Sequence, residues 1–86
     1  MTEVYMGAKF LVEKVSTHHE FIDLFGKVTM GGISIGMKSE LNGKTMEIIN
    51  IYVNSSDSQT VVITIKGADL TDFSSNQILD FAPIFS

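Results

Sequence analysis

The stretch "VSTHHEFIDLF", Val15 to Phe25, carries the chain's two histidines, His18 and His19, directly after the hydroxyls of Ser16 and Thr17, with Lys14 just upstream. Imidazole is a nucleophile near neutral pH, so group transfer through a ring nitrogen is the chemistry these residue types could handle. A helix opening at Thr17 would add first-turn amides that lack carbonyl partners, together with the positive end of the macrodipole; both favour a bound anion. Ser16 and Thr17 would add hydroxyl donors to such an anion, and Lys14 a cation. Glu20 opposes a doubly charged phosphate by about 1 kcal/mol if both are exposed. The alternative is that both histidines are simply exposed first-turn residues of a capped helix. Adjacent histidines point apart on a helix and no third ligand is evident, so neither metal nor cofactor is expected. His19 and Asp23, four apart, read as a surface pair.

Such a site needs elements to hold it. "AKFLVEKV", Ala8 to Val15, alternates as a half-buried strand. Thr17-His18-His19-Glu20 has the form of a capping box, and Phe21, Ile22, Leu24, Phe25 and Val28 form one helical stripe that ends near Gly26. "ISIGMKSEL", Ile33 to Leu41, and "KTMEIINIYV", Lys44 to Val53, flank Asn42-Gly43, the pair favoured in a type I′ hairpin turn. "NSSDSQ", Asn54 to Gln59, is a polar loop before the β-rich "TVVITIKG". "ADLTDFSSNQILDFAPIF" reads as a second helix stopped by Pro83. Phe10, Phe21, Phe25, Ile63 and Ile65 are core by spacing, and Asp69 and Asp72 are charges at a helix N-terminus. The expected fold is α+β: a four-stranded antiparallel sheet with helices packed on one face, in one domain over residues 1–86.

This order resembles HPr, the histidine-containing phosphocarrier of the bacterial sugar phosphotransferase system, with its Crh-like regulatory relatives. "LNGKTMEI", "VVITIKGADLTDF" and "FIDLFGKV" carry the likeness. The resemblance implies an HPr-like open-faced sandwich and a carrier, not a turnover catalyst, that receives phosphate from an enzyme I-like donor on His19, or else His18, holds it with Ser16, Thr17 and Lys14, and passes it to a sugar-specific acceptor. The family's glycine-any-histidine-alanine-arginine-proline signature is not present, and the chain contains no arginine. One register puts His19 at the phosphorylated position, and another puts Lys14 there. Asn50 falls where relatives carry a regulatory serine, and "IINIYV" favours strand over the family's short helix. A protein-binding module without phosphotransfer is therefore the alternative, its face near the first helix and shared with Tyr52 and Val53.

Composition narrows the rest. The chain has 86 residues and a net charge of −4, with six scattered lysines, so it offers no basic stripe for nucleic acid. It has no cysteine for a disulfide or thiolate site. No segment nears the roughly 18 apolar residues that cross a bilayer, and Met1–Tyr5 does not look like a secretion signal. A cytoplasmic protein without membrane insertion is the expectation.

Overall fold

The computed structural model describes residues 7–53 and 59–83. Among these residues six strands form one sheet: β1 Ala8–His18, β2 Phe21–Gly31, β3 Lys38–Leu41, β4 Lys44–Val53, β5 Val61–Lys66 and β6 Gln77–Phe81. Their spatial order is β3-β4-β5-β2-β1-β6, and every pairing is antiparallel. A bridge between Lys38 and Ala82 brings the outermost strands together, so the sheet curls into a near-barrel. The Ala82 amide donates to the Lys38 carbonyl at 2.8 Å, and the Ser39 hydroxyl donates to the Asp80 carbonyl.

This architecture overturns the α+β sandwich. The only helical turn among the described residues is a short 3-10 helix, Leu70–Asp72. The segment expected to form the first helix is instead the end of β1, a two-residue turn at His19-Glu20, and β2. Its apolar residues satisfy both periods. Ile22 and Leu24 turn inward while Phe21, Asp23 and Phe25 turn outward, and β-branched and aromatic residues flank the turn. Phe21 and Phe25 are thus outer-face residues and not core, whereas Phe10, Ile63 and Ile65 are fully buried as expected. The second expected helix gives way to the 3-10 turn and then β6, where Leu79 and Phe81 point in and Ile78 and Asp80 point out. Residues 84–86, beyond the Pro83 at which that helix was expected to stop, lie outside the described residues, as do Met1–Tyr5 and all of the Asn54–Gln59 loop except Gln59.

The hairpin at Asn42-Gly43 forms as the sequence indicates, with φ of 53° and 77° and Leu41 paired to Lys44. β4 continues as strand through Val53. Inside the barrel Phe10, Phe81, Leu24, Met46, Ile48, Ile63, Ile65 and Val12 are fully buried. Each contributes about 1.5–3 kcal/mol of apolar transfer where the side chain is large. Gly26 faces inward between Val12 and Val61, where an added Cβ would overlap the Leu11 carbonyl oxygen.

Candidate functional site

In β1 the inward positions Ala8, Phe10 and Val12 give way to a bulge at Glu13, which shifts the register so that Lys14 pairs with Phe25. Beyond it Lys14, Ser16 and His18 share the outer face, opposite Phe25, Asp23 and Phe21, while Val15 and Thr17 share the inner side with Leu24 and Ile22. His19 begins the turn with a φ of 58°.

The structure therefore spreads the sequence-derived set along a strand and does not gather it around an anion. At about 3.3 Å per residue, Lys14 and His18 stand roughly 13 Å apart along β1. The Lys14 ammonium lies 5.3 Å from the Phe25 ring centroid, turned across β2. Ser16 Oγ reaches only the Thr17 carbonyl, at 3.5 Å, and Thr17 faces the other side of the sheet. The His18 and His19 rings pack with centroids 5.2 Å apart and planes tilted by 35°. No helix begins beside them, so the free first-turn amides on which the phosphate chemistry depended are not at this position. Asp23 pairs with His18, Oδ2 to Nδ1 at 3.6 Å, and not with His19. No cluster of three metal-ligating side chains occurs among the described residues.

The strand register brings together other residues instead. Ser16, Asp23, Thr64 and Asn50 form one outward row across β1, β2, β5 and β4. Within it Thr64 Oγ1 donates to Asp23 Oδ1 at 2.6 Å, and Asn50 Nδ2 lies 2.6 Å from the Tyr52 hydroxyl. Asn50 Oδ1 also accepts from the Ile51 amide at 2.9 Å, next to the bulge in β4. The adjoining row is Lys14, Phe25, Val62 and Tyr52. Leu11 stands diagonal to Phe25 and directly beside Ile78 of β6. Ile78, Leu11, Phe25, Val62 and Tyr52 thus trace an apolar and aromatic diagonal over five strands of the outer surface. Tyr52 is 50% exposed and Ile78 54%. Helical reading of Phe25 and Ile78 concealed this diagonal; the signal in the sequence was apolar residues at outward positions of alternating strands.

A second cluster ties the barrel's ends together. Asp72 Oδ2 accepts from the Asp69 amide at 2.8 Å and from Lys44 Nζ at 2.9 Å, Asp72 Oδ1 accepts from Asn42 Nδ2 at 3.1 Å, and Lys44 also reaches Asp69 at 3.0 Å. The Asp69 amide first, then Lys44 and Asn42, draw the Asp72 carboxyl from 3.8 to about 2. The same carboxylates raise the Lys44 ammonium above its ordinary value. This is a structural clamp between the β3–β4 turn and the 3-10 helix, so the reading of Asp69 and Asp72 as charges at a helix start survives on a shorter helix. No protein-family model, curated protein or solved structure matches the chain.

Proposed function

We infer that this barrel is a protein-binding module that works through the outer surface of β1, β2, β5, β4 and β6. The carrying observation is the diagonal of Ile78, Leu11, Phe25, Val62 and Tyr52. A strand alternating cleanly between core and water would place charged residues at these outward positions, and here they are aromatic or aliphatic. Aromatic residues of this kind anchor protein interfaces, and Tyr52 combines an apolar ring with a polar tip. The polar row beside it supplies the rim: Asp23, Thr64 and Asn50 have their hydrogen bonds in place, so their geometry is set before a partner arrives. No helix among the described residues is long and apolar enough to cross a membrane.

The phosphocarrier expectation required an imidazole beside free helix amides. Extended chain occupies that position, and the binding reading takes its place. The test compares the two in one experiment. Crosslinked partners recovered from the source cell are expected to be lost with Tyr52→Ala or Phe25→Ala and retained with His18→Ala/His19→Ala. Incubation with phosphoenolpyruvate and an enzyme I-like donor is expected to leave the mass unchanged. An acid-labile phosphoryl adduct removed by His19→Ala would overturn this reading.

A further inference from the structure

We propose that the outer edge of β1 between Lys14 and His18 takes an extended peptide of a protein partner as an additional strand, antiparallel to β1, with one acidic residue set opposite Lys14. This rests on the binding-module reading and identifies the edge and the peptide chemistry.

The geometry begins with unequal strand lengths. β1 runs from Ala8 to His18, yet β6 pairs only with Ala8–Val12, and the Asn76 amide closes that ladder on the Val12 carbonyl at 2.7 Å. Beyond Val12, no strand among the described residues pairs with this side of β1. The short 3-10 helix passes near β1, but no backbone hydrogen bond among the described residues joins the two. The two-residue turn makes His18 and Phe21 the mutually bonded closing pair, so alternation turns the backbone groups of Thr17 and Val15 to the open side. The Thr17 carbonyl is consistent with this: its contact is the Ser16 hydroxyl at 3.5 Å, the outer limit of a hydrogen bond.

Exposed edges are usually blunted by proline, lysine or a bulge. Here the bulge at Glu13 precedes the edge, no proline lies within it, and Lys14 is folded over Phe25 and away from the open side. Backbone groups of another extended chain are what such an edge can recognise. Side-chain specificity follows from register. Residues directly opposite in an antiparallel pair share a face, so a carboxylate facing Lys14 can draw its ammonium back from the Phe25 ring, and that ammonium has no carboxylate partner among the described residues. His18 is engaged with Asp23, and Glu13 and Glu20 flank the segment at either end. The charge pattern therefore selects one carboxylate at the Lys14 position and disfavours several. Val15, half-buried against the core, calls for a β-branched neighbour on the inner side.

The test titrates the isotope-labelled full chain with a capped valine- and threonine-rich octapeptide bearing one central glutamate, and with its lysine counterpart. The glutamate peptide is expected to shift the Val15 and Thr17 amides, slow their exchange with solvent, and bind about tenfold more tightly than the lysine peptide. Thr17→Pro removes an edge amide while keeping an extended φ, and is expected to abolish binding with the rest of the amide spectrum unchanged. Lys14→Glu is expected to reverse the preference between the two peptides. Shifts confined to Phe25, Val62 and Tyr52 would sink the edge while leaving the face reading intact. No shift with either peptide, alongside partner crosslinking that Tyr52→Ala still abolishes, would do the same. Partner crosslinking indifferent to Tyr52→Ala and Phe25→Ala would remove the face reading, on which the edge depends.

Discussion

Thr64 on β5 donates its hydroxyl hydrogen to Asp23 on β2 at 2.6 Å, although both stand on the outward side of the sheet. Thr64 is only 4% exposed, so this bond is shielded from water to a degree unusual for an outer face. Thr64→Val keeps the shape and removes the donor to a carboxylate, and a loss of about 1–2 kcal/mol is expected. Urea unfolding monitored by circular dichroism measures it as a lower midpoint at constant slope. An unchanged midpoint would mean that His18 alone holds Asp23.

Acid stability should depend on Asp72. Its folded carboxyl, at about 2, lies below the ordinary 3.8 because the Asp69 amide, Lys44 and Asn42 all favour the charged form. The contribution is therefore complete above about pH 4 and is lost as pH falls toward 2. Urea midpoints are expected to decline across that window, and Asp72→Asn to lower the neutral midpoint while flattening the decline. Lys44 acts at the opposite limit. Its raised value means that its contribution holds below 10.5 and disappears as pH climbs through the higher folded value.

His19 occupies a left-handed backbone conformation, φ 58°, at the first central position of a hairpin turn where glycine is preferred. His19→Gly relieves the Cβ strain at some cost in unfolded-chain entropy, for an expected net gain of about 0.5–1 kcal/mol. Thermal unfolding would show this as a rise of a few degrees. A fall would show that the His18–His19 ring contact stabilises the turn more than the backbone strain costs.

Gly26 admits no side chain. A Cβ there meets the Leu11 carbonyl in the neighbouring backbone, which cannot move aside as a flexible side chain could. Gly26→Ala is expected to cost about 3 kcal/mol or more, or to prevent folding. Gly43→Ala at the Asn-Gly turn meets open space and suffers only its φ of 77°, so a loss of about 1 kcal/mol is expected. Paired denaturation curves of the two variants separate crowding from backbone strain.

Local pairing was legible in the sequence wherever a turn dipeptide and alternation agreed. Asn42-Gly43 gave its hairpin, and the alternation of Val61, Ile63 and Ile65 gave β5. The misreading arose at residues 17–28, because Ile22, Leu24 and Val28 fit a two-residue period as well as the helical one, and Thr17-His18-His19-Glu20 imitates a cap. The β-branched and aromatic run on both sides of the turn was the deciding signal. Likewise Gln77–Phe81 is too short for its period to speak, and only pairing with β1 makes it a strand. The histidines, Ser16 and Lys14 are neighbours in the sequence, but their convergence on one anion required a helix. Asp23, Thr64 and Asn50 come from three distant segments, and no local spacing could align them.

β6 lies between β1 and β3, so β1 waits for its second neighbour until β2, β3, β4 and β5 have all been made. During synthesis the β1–β2 hairpin can form early, but its flank along Ala8–Val12 stays uncovered in the interval. That ordering makes the nascent protein a slow finisher, dependent on contacts remote in sequence. It also leaves an adhesive strand margin exposed on the emerging polypeptide until β6 slots in.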